Sequence, residues 1–189
     1  GGVFNNRGTT TTVNNLGTFT NFAGATTGAF TNGVTGLLTN NGTIASLSNY
    51  GTVTNNGPIT GLITNNSGGT FTNNSNGVFT TLNNYGIATN YANITGGTLS
   101  NYGTATNNGS ITNSTITNNG TLNNSLNATL GTVTNNGTLT NAGTVANLTN
   151  TRTATNTGRI TGTTNNSGTL NINNAGTSGD LNNMAAGLL

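Results

Sequence analysis

The 189-residue chain contains no cysteine, histidine, lysine, glutamate or tryptophan, and a single proline, Pro58. Each absence closes off a kind of chemistry. Without thiols there is no disulfide framework and no thiolate metal site. Asp180 is the only acid, with no histidine, lysine or second carboxylate to share a proton, so general acid–base catalysis lacks its parts. The Gly- and Asp-rich nonapeptide of calcium-binding repeats is missing, and asparagine carbonyls alone bind calcium weakly. We therefore expect no enzyme, no catalytic residue, no cofactor and no metal.

Charge is almost as scarce. Arg7, Arg152 and Arg159 against Asp180 leave a net charge of +2, and three scattered arginines form no stripe that tracks a phosphate backbone. Nucleic acid is not an expected partner. No apolar run approaches the ~18 residues of a membrane span. The chain opens on Gly1 rather than Met, as a processed form or a fragment would.

What remains is mostly Thr, Asn and Gly, about three-fifths of the residues and far above average usage. The bias is ordered. Segments of similar length begin at Gly1, Gly17, Gly33, Gly51, Gly69, Gly86, Gly103, Gly120, Gly137, Arg152 and Gly168. "GTFTNNSNGVFTTLNNY" from Gly69 and "GTATNNGSITNSTITNN" from Gly103 align without gaps. Three apolar columns emerge. The first holds Val3, Phe19, Val53, Phe71, Ala88, Ala105, Leu122, Leu139, Ala154 and Leu170. A middle column holds Ile59, Ile94, Ile111, Ala128, Val145 and Ile160. The last holds Val13, Phe30, Leu47, Ile63, Leu82, Leu99, Ile116, Val133, Leu148 and Leu181.

Around these residues runs Thr-Φ-Thr, the alternation of a strand with one buried face, while Asn-Asn, Asn-Gly and Asn-Tyr-Gly mark corners. The pattern predicts an all-β parallel β-solenoid (β-helix) of about eleven coils, each ~17 residues with three short strands. It spans residues 1–184, with 185–189 an apolar tail. The expected core is drawn from the columns: Val53, Phe71, Ile94, Leu99, Ile111, Ile116, Leu122, Val133, Leu139 and Val145. Asn also recurs, at Asn5, Asn21, Asn55, Asn73, Asn90, Asn107, Asn124, Asn141 and Asn156. Stacked one coil apart, such amides form a hydrogen-bonded ladder.

No charged, proline-rich or helical cap interrupts the repeat at either end, and near-zero charge removes the usual repulsion between copies. We expect heterologous end-to-end stacking through Val3, Val13, Leu170, Leu181, Leu188 and Leu189, giving a head-to-tail homopolymer. The tail is expected to cross the joint or plug the neighbouring copy's core. Tyr50, Tyr85 and Tyr102 at one corner add surface glycans, or neighbouring filaments, as candidate partners.

The texture of "GTVTNNGTLTNAGTV", Gly131–Val145, resembles the Gly/Thr/Asn-rich β-solenoid repeats of bacterial secreted adhesins of the filamentous-haemagglutinin and autotransporter-passenger kind. It is also similar to a subunit of a self-stacking extracellular fibre. The resemblance implies an extracellular or cell-surface location and a role in adhesion, aggregation or matrix, and transfers no individual site residue. Separately, Thr18/Thr20, Thr52/Thr54, Thr70/Thr72, Thr104/Thr106, Thr138/Thr140 and Thr153/Thr155 resemble the Thr-x-Thr face of antifreeze solenoids, which implies ice binding as a further alternative.

Overall fold

The computed structural model describes residues 1–173, 175–184 and 188, so Leu189 and most of the expected tail lie outside the described residues. The chain is an all-β parallel solenoid of about eleven coils, with no helix among the described residues. It divides into two compact units, Gly1–Ala92 and Asn93–Leu189.

In the first unit the short strands Val3–Asn6, Thr18–Asn21, Leu37–Asn40, Thr52–Asn55, Thr70–Asn73 and Ile87–Asn90 pair in parallel. Long strands Thr9–Asn15, Thr26–Asn32, Thr43–Asn49, Pro58–Asn65 and Val78–Asn84 make its second sheet. The second unit repeats the scheme. Its short strands are Thr104–Asn107, Thr121–Asn124, Thr138–Asn141, Thr153–Asn156 and Thr169–Ile172. Its other sheet is built on Ser110–Asn118, Thr129–Asn135 and Thr144–Asn150.

Most coils therefore carry two strands, not the three expected. The middle and last apolar columns share one long strand, and its pairing shifts at a bulge where Pro58–Asn65 or Ser110–Asn118 carries extra residues, as between Ile44 and Leu47 or between Ile111 and Thr115. A bulge adds a residue and bends the strand without ending it. The division into shorter strands appears where glycine intervenes. Gly96 and Gly97, at φ 75° and 100°, separate Asn93–Thr95 from Thr98–Asn101, and Gly162 lies between Arg159–Ile160 and Thr164–Asn166.

All ten expected core residues are buried, none more than 3% exposed. Each contributes about 1.5–3 kcal/mol on burial, too little to order a lone coil, so stability belongs to the stack. Two column assignments change. Val3 points outward and is 73% exposed, while Phe4 stands over Phe19 with ring centroids 5.2 Å apart. The opening Gly-Gly shifts the count by one: Gly2 starts the coil, its carbonyl accepting from the Thr18 amide. Likewise Leu130, not Ala128, registers with Ile111 and Val145. Asn127, at φ 67°, prolongs the preceding corner and leaves Ala128 inside it.

Candidate functional site

The most regular chemistry in the molecule is a pair of inner asparagine ladders. On a strand, a residue two places after an inward apolar residue also points inward. Asn follows the first column at that spacing (Phe19 to Asn21, Leu122 to Asn124) and the last column as well (Val13 to Asn15, Val133 to Asn135). In the first unit, the Nδ2 of each rung donates to the Oδ1 of the rung one coil later. The first ladder runs Asn6, Asn21, Asn40, Asn55, Asn73, Asn90 at 2.8–2.9 Å. The second runs Asn15, Asn32, Asn49, Asn65, Asn84 at 2.7–2.9 Å. In the second unit the corresponding ladders are Asn107, Asn124, Asn141, Asn156 and Asn101, Asn118, Asn135, Asn150, Asn166, Asn183.

The ladder expected from Asn55 to Asn156 is thus present within each unit, with two amendments. Asn6 is the first rung, because Asn5 faces outward opposite Thr20, and Asn40 fills the gap between Asn21 and Asn55. The second ladder was missed. Its signal is the same Φ-x-Asn spacing applied to the last column, hidden by an abundance of corner asparagines.

Backbone groups join the same coils beside the rungs. Asn124 Nδ2 donates forward to the Thr144 carbonyl at 3.0 Å, while the Asn124 carbonyl accepts from the Ala142 amide at 2.8 Å. The buried amides are satisfied in this way by partners in the neighbouring coils. That arrangement tolerates no charge.

Outward residues form the complementary surface. In the second unit, the short strands present Thr104/Thr106, Thr121/Asn123, Thr138/Thr140, Thr153/Thr155 and Thr169/Asn171 in register. In the first unit Leu37 and Ile87 interrupt the row, 51% and 54% exposed. Tyr50, Tyr85 and Tyr102 each follow a rung of the second ladder and stay half exposed. Among the described residues one charge stacks on a ring: the Arg7 guanidinium lies 4.0 Å from the centre of the Phe22 ring.

The first coil exposes the ends of the core. Phe4, Val13 and Phe19 line a cavity of about 330 Å³ with Thr10, whose Oγ1 is buried without a hydrogen-bond partner. Of the expected stacking residues, Val13 belongs to this face and Leu181 is 37% exposed on the last long-strand segment. Val3 faces sideways, and Leu170 is fully buried, with Leu188 bonded one layer beyond it. Leu188 lies on its own chain: it bridges Thr169, donates to the Gly168 carbonyl at 2.7 Å and accepts from the Leu170 amide at 2.9 Å. It occupies the strand-opening position that Thr169 and Thr153 hold one and two coils earlier. Leu189 lies outside the described residues.

Among the described residues no group of three His, Cys, Asp or Glu side chains is placed to hold a metal, and no helix is long and apolar enough to cross a membrane. Fold and ladders together define the class: a charge-poor, asparagine-laddered parallel β-solenoid repeat protein. The chain matches no protein-family model, no curated protein and no solved structure.

Proposed function

We propose that this chain is a structural protein, a β-solenoid subunit that stacks head to tail with copies of itself into an extracellular filament. One observation carries the reading. The segment Thr177–Asn183 has the same seven-residue layout as Thr9–Asn15: hydroxyl, hydroxyl, two intervening residues, an apolar residue, Asn, Asn. A copy set one coil spacing beyond Leu181–Asn183 places Leu181 against Val13 and the Ser178 hydroxyl against the unpartnered Thr10 hydroxyl. Asn183 then faces Asn15 in ladder register. On the short-strand side, the incoming Val3–Asn6 strand must displace Leu188 from Thr169. The near absence of charge favours such association, since nothing repels the copies.

Electron microscopy of the purified chain tests this. Unbranched filaments with a ~4.8 Å layer spacing along the axis are expected. Monodisperse short rods sink the proposal and favour the other use of such a coil, the stalk of a surface adhesin.

A second reading, ice binding, is favoured by the second unit's short-strand face, whose outward residues are all hydroxyls or amides on a grid of about 4.8 by 6.6 Å. Thermal hysteresis by the chain, abolished by Thr138→Tyr, is the outcome that this reading requires. Its absence at millimolar protein removes it.

A further inference from the structure

Seven asparagines precede glycine: Asn32, Asn41, Asn56, Asn76, Asn108, Asn119 and Asn136. Asn-Gly is the dipeptide most open to intramolecular attack, because glycine leaves its own backbone nitrogen unshielded. The fold sorts these seven into two environments. Only Asn32 is a ladder rung; the other rungs precede bulkier residues. We propose that the outer Asn-Gly corners are sites of spontaneous deamidation, with water as the only co-reactant, and that the ladder shields Asn32.

Asn32 is fully buried. Its Nδ2 donates to Asn49 Oδ1 at 2.9 Å and to the Gly36 carbonyl at 3.0 Å, and its Oδ1 accepts from Asn15 at 2.8 Å. The attacking group is held too, since the Gly33 amide donates to the Asn15 carbonyl at 2.8 Å. Asn136 is exposed instead. Among the described residues its side chain bonds only to Asn119 Oδ1 at 3.2 Å and the Thr151 hydroxyl at 2.9 Å, themselves exposed. Among the described residues, the amides of Gly137 and Gly109 have no acceptor, whereas that of Gly120 is bonded to the Asn101 carbonyl at 3.1 Å. Asn136 and Asn108 are therefore the most reactive of the exposed pairs, with Asn119 slower.

The glycine nitrogen gives up its proton and attacks the asparagine Cγ. The C–N bond to the side-chain nitrogen breaks, and ammonia leaves carrying a proton. Water then opens the cyclic imide at one carbonyl to give aspartate, or at the other to give isoaspartate. Either product adds a negative charge. Two conversions cancel the net charge of +2, and each further one makes the chain acidic. Asn119 and Asn136 are stacked one coil apart, so converting both sets like charges about 5 Å apart along the corner. The modification thus adds negative charge with age to a surface that carries little, whether or not the chain forms filaments.

The test is peptide mapping with isoaspartate-specific methylation after incubating the folded chain at mildly alkaline pH. Conversion at Asn136 and Asn108 is expected to outpace Asn32 by about tenfold or more, because a buried pair reacts only from locally opened states. In denaturant the seven sites should converge. The exposed substitution Asn136→Ser removes that site's product and fixes its assignment. The proposal is overturned if folded Asn32 converts as fast as Asn136. It is equally overturned if the corner pairs stay as inert as Asn32 while the denatured chain reacts at all of them.

Discussion

Asn135→Asp is expected to make the stability of this protein depend steeply on pH, although the unsubstituted chain is nearly indifferent to it. With one carboxylate side chain and no histidine, folded and unfolded chains exchange almost no protons between about pH 5 and 8, so stability should be flat there. Asn135 is fully buried. Its Oδ1 accepts from Asn118 at 2.7 Å, and its Nδ2 is shared among Asn150 Oδ1 at 2.7 Å, the Thr153 carbonyl at 2.9 Å and the Gly137 carbonyl at 3.2 Å. An aspartate has the same shape but would aim a carboxylate oxygen at three acceptors. Only its protonated form can donate to one of them, so the folded state holds that proton and the folded pKa rises above the unfolded ~3.9. The sign follows. Stability is greatest below about pH 4 and falls as pH rises toward the folded pKa, by about 1.4 kcal/mol per pH unit. Even the neutral acid loses bonds worth roughly 2–4 kcal/mol. Hydrogen exchange of the flanking coils across pH measures this. The same change one residue along, Asn136→Asp, should stay within ~0.5 kcal/mol because that side chain is exposed. Equal effects at the two positions would mean that the inner ladder does not hold its amides as described.

That contrast also shows what could be read from the sequence. Period and apolar columns carry the solenoid, because Thr-Φ-Thr alternation states which residues face in. Adjacent asparagines carry no such label. In "TNNG" one Asn is a fully buried rung and the next an exposed corner, and their distinction rests on parity from the nearest column residue. Counting from glycine instead of from the column chose Asn5 over Asn6 and Val3 over Phe4, and passed over the second ladder. The merging of two strands into one long strand was invisible for a different reason. Whether the residues between two columns stay extended is set by pairing with the neighbouring coil, and that neighbour is a full repeat away. The open first face was partly legible: Val13 and Leu181 lie at the ends as expected. Leu170 does not, since it is fully buried beneath the layer that Leu188 joins.

The repeating glycine at the corner is the other position where a one-atom change should have a large effect. Gly137 does not have the positive φ recorded at Gly24 or Gly68, so no conformational preference explains it. Its constraint comes from the coil below. A Cβ there would lie 2.2 Å from the Gly120 carbonyl oxygen and 2.8 Å from the Asn119 carbonyl carbon, both backbone atoms that cannot rotate aside. Gly120 would meet the Gly103 carbonyl at the same 2.2 Å, and Gly168 the Arg152 carbonyl. Relief requires separating coils, which stretches the Thr138–Thr121 strand pairing and the Asn118–Asn135 rung beside it. Gly137→Ala is therefore expected to cost about 1–3 kcal/mol or more, appearing as faster amide exchange in the coils on either side. Gly8→Ala is the matched control. Nothing lies within 4 Å of a Cβ at Gly8, and alanine there should be neutral or stabilising by about 0.4–1 kcal/mol through the unfolded chain. If both substitutions behave alike, glycine at this corner answers to backbone freedom and not to the approach of the next coil. Close stacking would then be a consequence of the ladders alone.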